Sequence, residues 1–240
     1  MTITLKPGPL DTSLYGPADG APAPGIVILH GSEGPGAGWS HRFAAILAAH
    51  GFWACPFGYG TGDVWGAGAI RDVDISVIPA NAARIGDLPE ITALHLLGWS
   101  RGGELAMHLA ALGGDDLPFA SIAAHAPADR VIGPFDAQAF RQGEAPASGR
   151  AWVWPGHEEA LAPETAIAVE NFSRPVFLSV GSFDEVWNPD MTRALYDRRK
   201  SAGLPTELYW AEGQGHAFDA DTEPEFWRRL TAFFEKPSGL

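Results

Sequence analysis

Short apolar runs bounded by Gly or Pro alternate along this chain with longer segments whose apolar residues recur every three or four positions. Gly25-Ile26-Val27-Ile28-Leu29-His30 is β-branched and continuous, which predicts a strand buried on both faces. Residues 40–50 carry Phe43, Ile46 and Leu47 at helical spacing and are followed by Gly51, a helix stop. Residues 52–57, 93–99, 121–124, 175–180 and 207–210 read as further strands. Residues 104–112, 190–200 and 224–234 read as further helices, the first ended by Gly113-Gly114. The Pro/Gly-rich stretch 16–25 reads as a turn between strands. Alternation of this kind predicts parallel strands joined by right-handed crossovers, with helices on both sheet faces and ligands at the carboxyl ends of the strands.

Composition narrows the class. The 240 residues are 46% hydrophobic and 19% charged, a mixture too balanced for disorder, collagen or coiled coil. Sixteen Lys+Arg against 29 Asp+Glu leave a net charge of −13, which argues against nucleic-acid partners and anionic membrane surfaces. A single cysteine, Cys55, excludes an internal disulfide and a Cys-rich zinc site. Residues 1–7 lack the basic start and apolar run of a signal peptide, and no stretch approaches the roughly 20 apolar residues of a membrane span. The expectation is one cytoplasmic domain over residues 1–240, with a small-molecule substrate and neither metal nor cofactor.

The chemistry sits at predicted strand ends. Leu96-Leu97-Gly98-Trp99-Ser100-Arg101-Gly102-Gly103-Glu104 is a strand turning into a helix with G-x-S-x-G at the turn. That context predicts Ser100 as a nucleophile pushed above the sheet, with the Arg101 N–H facing the reacting carbonyl. A serine hydroxyl needs a base to take its proton. Of eight His, His216 lies in the loop Gly213-Gln214-Gly215-His216-Ala217-Phe218 before the last helix, in the chain order Ser, acid, His of hydrolase folds. His50, His95 and His108 read as packing or surface residues, and His41 and His157 as solvated loop residues. His125 stands too early in the order, and His30 reads as tying down its loop. Asp184 follows the strand 175–180 and is the candidate for orienting the imidazole, with Asp129 and Glu185 as rivals. Leu29-His30-Gly31-Ser32-Glu33-Gly34 supplies the Gly-rich loop for a second oxyanion N–H, that of Ser32 or else Glu33.

These residues resemble the α/β-hydrolase superfamily over nearly the whole chain. More narrowly, Gly98-Trp99-Ser100-Arg101-Gly102-Gly103-Glu104-Leu105-Ala106 is similar to the G-x-S-K/R-G-G-E-L-A elbow of the C-terminal domain family of acyl-CoA thioester hydrolases and bile acid-CoA:amino acid N-acyltransferases. The likeness continues through residues 29–34, 151–156, 169–187 and 215–218. It implies an α/β-hydrolase fold, a mostly parallel central sheet with helices on both faces and a minimal lid, and a triad of Ser100, Asp184 and His216. With the hydrolase-like part starting near residue 1, the N-terminal β-rich domain of animal members is expected to be absent. The conjugating members carry Cys at the elbow where this chain has Ser, and an oxyester acyl-enzyme is more commonly released by water than passed to an amine. Size and lid also resemble the dienelactone hydrolases, which again typically carry Cys. A serine hydrolase acting on carboxylic esters or thioesters is therefore expected. Acyl transfer is the enzymatic alternative, and a ligand-binding module on a hydrolase fold is the non-enzymatic one.

Residues 59–69 and the irregular segment 129–159 are expected to overhang the strand ends. Their aromatic residues Tyr59, Trp65, Trp152 and Trp154, with Trp187 and Phe218 beside the acid and base, are the pocket candidates.

Overall fold

The computed structural model describes residues 2–60, 69–144 and 148–236. Eight strands form the central sheet: β1 (Thr4–Pro7), β2 (Ser13–Gly16), β3 (Ala23–Leu29), β4 (Trp53–Phe57), β5 (Ile91–Trp99), β6 (Ser121–His125), β7 (Val176–Gly181) and β8 (Thr206–Ala211). Their order is β1-β2-β4-β3-β5-β6-β7-β8. Neighbours from β4 through β8 pair in parallel, whereas β1–β2 and β2–β4 are antiparallel. The sheet is thus mostly parallel, as expected, with an antiparallel edge that the turn-rich N-terminal segment concealed.

Helices α1 (Gly38–Ala49), α2 (Ile78–Gly86), α3 (Arg101–Gly113), α4 (Ala137–Gln142), α5 (Pro189–Ser201) and α6 (Glu223–Phe234) flank it. Successive strand residues point to opposite faces, and the core divides accordingly. Ile26 and Ile28 pack with Phe43 and Leu47 of α1 and with Phe226, Leu230 and Phe233 of α6. Val27 and Leu29 pack on the other face with Ile78 and Ile85 of α2, Leu105 and Leu109 of α3, and Leu195 of α5. A strand covered on both faces has no polar side, which is why β3 reads as an unbroken apolar run. Cys55 is a free, buried thiol in β4.

Two expectations need correction. The segment 129–159 is not wholly irregular. It contains α4, capped by Asp136, whose side chain accepts from the N–H groups of Gln138 and Ala139. It also contains the short strands Phe135–Asp136 and Trp152–Val153, which pair with Ala69–Ile70 and Val73–Asp74. His41 lies within α1, its Nδ1 2.8 Å from the Tyr15 hydroxyl, and not on a solvated loop. Among the described residues no helix is long and apolar enough to cross a membrane.

The junction of β5 with α3 depends on two glycines that allow backbone to touch backbone. A Cβ at Gly98 would lie 2.1 Å from the Gly102 carbonyl oxygen, and one at Gly102 would lie 2.3 Å from that of Leu29. A Cβ at Gly38, at the start of α1, meets nothing within 4 Å. Gly98→Ala should therefore cost about 3 kcal/mol or more in urea unfolding. Gly38→Ala should be neutral or stabilising by up to about 1 kcal/mol. Equal midpoints for the two variants would contradict the packing account.

Candidate active site

Ser100 occupies the one-residue corner between β5 and α3, at φ 56°, ψ −118°. That conformation is strained for a residue with a side chain, by about 1–3 kcal/mol, and the surroundings must hold it. They do so by hydrogen bonds: the Ser100 N–H donates to the His125 carbonyl at 2.9 Å, and the Glu104 N–H donates to the Ser100 carbonyl at 3.0 Å. The strand end and the helix start thus fix the corner from both sides. Arg101 opens α3, so its N–H has no helical acceptor.

His216 and Asp184 meet across the loops that follow β8 and β7. His216 Nδ1 lies 2.7 Å from Asp184 Oδ2, and the Asp184 side chain is fully buried. The other carboxylate oxygen, Oδ1, accepts from the N–H groups of Val186 at 2.8 Å and Trp187 at 2.9 Å. Burial pushes the Asp184 pKa up. The bonds from His216 and from the two N–H groups outweigh it, and the carboxyl stays below its ordinary range. The rival Asp129 pairs instead with Arg130, Oδ1 to Nε 2.9 Å.

Ser100 and His216 line one cavity of about 230 Å³ with Ser32, Glu33, Trp39 and Val186. The structure therefore places Ser100 and His216, the latter held by Asp184, on one cavity. Ser32 and Glu33 face the same space. The Ser100 hydroxyl oxygen accepts a hydrogen bond from the indole N–H of Trp187 at 3.1 Å. Trp187 is thus a direct neighbour of Ser100, a reach that its sequence position beside Asp184 does not reveal.

The other pocket candidates fare differently. Trp152 is fully buried in the core and donates its indole N–H to Glu104 Oε1 at 3.0 Å, so it forms no wall of the cleft. Tyr59 stacks on His30 with ring centroids 3.9 Å apart and donates its hydroxyl to the His30 carbonyl at 2.5 Å. It braces the loop after β3. Trp154 packs on the core and on His157. Phe218 sits edge-on to His125, centroids 4.8 Å apart. Trp65 lies outside the described residues.

Two supports beneath the site escape sequence reasoning. Glu104, one turn into α3, is completely buried. Its Oε2 lies 2.7 Å from Arg101 Nη1. Its Oε1 accepts from Trp152 and from the Ile132 N–H at 2.9 Å, and lies 3.1 Å from His108 Nε2. Burial raises the Glu104 pKa, but the Arg101 charge and these bonds outweigh it, and the group stays a carboxylate. His125, also fully buried, donates Nε2–H to the His216 carbonyl at 2.8 Å while its Nδ1 accepts from the Ser179 hydroxyl at 3.0 Å. It anchors the backbone of His216 although it is not near the expected order of a base. His30 ties its own loop, as expected. Nδ1 donates to the Gly31 carbonyl at 2.7 Å, and Nε2 accepts from the N–H groups of Tyr59 and Gly60. Among the described residues no cluster of three His, Cys, Asp or Glu side chains is placed to hold a metal ion.

The family model for the prolyl oligopeptidase family matches residues 88–240. The chain belongs to that family. No match was found among curated proteins. Among solved structures it is similar to dipeptidyl peptidase 4 of Porphyromonas gingivalis, at 16% identity and TM-score 0.65, covering 97% of this chain and 35% of that one. It is also similar to a puromycin-hydrolyzing peptidase of Mycobacterium tuberculosis, at 19% identity and TM-score 0.67, covering 99% and 39%. Est1E of Butyrivibrio proteoclasticus, solved with ferulic acid, is similar at 18% identity and TM-score 0.62, covering 96% and 94%. The chain spans little more than a third of the two peptidases. These likenesses bear out the α/β-hydrolase fold, and the family match supports a serine-hydrolase type. The family that matches is not the acyl-CoA thioester hydrolase and N-acyltransferase family whose elbow it resembles.

Burial pulls the pKa of His30 down to about 4 and that of His125 to about 3. Both lie below the roughly 6.5 of an unfolded histidine, so on acidification the unfolded chain binds protons first. The stability these groups confer is complete above about pH 6.5 and is lost as the pH falls toward 4. Each should add about 1.4 kcal/mol per pH unit to the slope of unfolding free energy within that window. Urea titrations at pH 7, 6 and 5 check this, with His30→Gln reducing the slope. A flat profile would contradict it.

Proposed function

We propose that the chain cleaves carboxylic esters or thioesters through an acyl-enzyme, with Ser100 as nucleophile, His216 as proton carrier and Asp184 as the group that orients His216. The observation that carries this reading is the 2.7 Å Asp184–His216 bond in a constellation whose His and Ser line one cavity. With Nδ1–H engaged by the carboxylate, Nε2 of the neutral ring is the basic nitrogen. Ser100 Oγ bonds to the substrate carbonyl carbon as its proton passes to Nε2. The tetrahedral intermediate expels the leaving alcohol or thiol, which takes that proton. Water then attacks the acyl-enzyme, gives a proton to Nε2, and Ser100 recovers it as the acid departs. Trp187 donates to the Ser100 oxygen, so its bond leaves the hydroxyl proton free to pass to Nε2.

The backbone N–H groups of Arg101 and Ser32 are the oxyanion donors in this account. Glu33 is the alternative to Ser32, and its carboxylate accepts from the Gly31 N–H at 2.9 Å. A second reading, cleavage of a peptide or amide bond, is favoured by the family match. The chemistry of Ser100, His216 and Asp184 would be the same, with an amine as leaving group. Acyl transfer differs only in the acceptor that replaces water.

A panel of p-nitrophenyl esters, acyl-CoA thioesters and aminoacyl anilides separates these substrate classes, the esters and thioesters being turned over fastest. Anilides turned over faster than esters would favour the peptidase reading. Asp184→Asn should lower kcat by about 10⁴-fold, because the amide favours the wrong imidazole tautomer and removes the counter-charge. Asp129→Asn should change kcat by less than about threefold, that residue being engaged with Arg130. Circular dichroism confirms folding of both. A larger loss at Asp129 would overturn the assignment of the acid.

A further inference from the structure

The cleft at Ser100 does not end at His216. Trp39, Trp99 and Ala217 line it on one side and also line a second cavity of about 300 Å³ beyond. The floor of that cavity is aromatic and rigid: Phe43 and Phe226 are 2% and 1% exposed. Trp99 lies 4.8 Å from Phe43 between ring centroids, and Phe218 lies 5.4 Å from Phe226. Trp39 stands at the junction of the two cavities and is 49% exposed, with the Arg42 guanidinium 6.0 Å from its ring centroid. The charges on the rim are Arg42 and Glu223, which pair through both carboxylate oxygens, Nη2 to Oε2 at 2.6 Å. Their charges cancel, so the cavity selects against an ionic occupant.

We propose that this second cavity is a leaving-group subsite for a neutral aryl group, an inference that rests on the hydrolase reading above. The side is set by the proton. His216 delivers it to the departing oxygen or nitrogen, so the departing group lies on the His216 side of the reacting carbon. The backbone that continues from His216 through Ala217 and Phe218 forms the wall of this cavity. The acyl part then lies toward Ser32 and Val186. Flat aromatic walls favour a ring over a flexible chain, through edge and face contacts as well as area buried.

Acetate esters of 2-phenylethanol and of butanol test the idea, since the acyl part is common and the two alcohols are of similar basicity. The wild type should favour the phenylethyl ester in kcat/KM by about tenfold or more, and Trp39→Ala should cut that ratio below about threefold. Glu223→Gln leaves the charge of Arg42 unopposed. It should raise kcat/KM for the acetate of 4-(2-hydroxyethyl)benzoate by at least about fivefold relative to the phenylethyl ester. Ester turnover with no aryl preference, or ratios untouched by both variants, would overturn the subsite and leave the hydrolase reading intact. Absence of turnover on every ester would count against the hydrolase reading instead. The subsite is then judged by binding: 2-(4-nitrophenyl)ethanol should saturably quench tryptophan fluorescence in the wild type and less in Trp39→Ala. Equal or absent quenching would overturn it.

Discussion

The start of α3 is pressed against the sheet more closely than side chains would allow, and the rest of the site follows from that approach. Cβ atoms at Gly98 and Gly102 would fall within 2.1 and 2.3 Å of backbone oxygens. The helix therefore begins directly on the ends of β3 and β5, and the one residue between strand and helix, Ser100, has to turn at positive φ. A serine on a relaxed loop would lose its direction. Here the hydrogen bonds from Ser100 to His125 and from Glu104 to Ser100 leave its hydroxyl a single side of the sheet to face.

The same economy holds beneath and beside the corner. Arg101 opens α3 with an N–H that has no helical acceptor, while its guanidinium is drawn into the core by Glu104. A buried ion pair is costly unless its remaining groups are bonded. Trp152, His108 and the Ile132 N–H supply those bonds on Glu104 Oε1, and the Gly133 carbonyl accepts from Arg101 Nη2 at 3.1 Å, while Arg101 Nε is left without a hydrogen-bond partner. A third strand end contributes through His125, which sits beside the elbow as acceptor of the Ser100 N–H and reaches across to the His216 carbonyl. The Ser100 and His216 segments are thereby tied to one buried residue, the first through the His125 carbonyl and the second through its ring, and Asp184 bonds His216 from the other side.

Much of this is legible from the chain because its signals are local. The G-x-S-x-G turn, the unbroken apolar strands and the Gly-rich His216 loop each declare themselves within ten residues. Asp184 follows from its place after β7. What the sequence hides is long-range. Nothing near Glu104 indicates that Trp152 and the Ile132 N–H, 48 and 28 positions away, will converge on it, so Trp152 reads as a pocket residue when it is core. Helix α2 is obscured by Pro79, which reads as a breaker but is tolerated in a first turn. The spacing of Ile78, Ala82 and Ile85 was the available signal. The strands β1 and β2 are only four residues each, too short for a period of two to stand out from the turns around them.

The central claim is that this corner makes the Ser100 hydroxyl a nucleophile, and a fluorophosphonate tests it whatever the natural substrate is. Mass spectrometry of the intact protein should show a single covalent adduct, which peptide mapping assigns to Ser100. The adduct should be absent from folded Ser100→Ala and form far more slowly in Asp184→Asn. An unmodified wild-type protein, or an adduct on any other residue that persists in Ser100→Ala, would contradict the account.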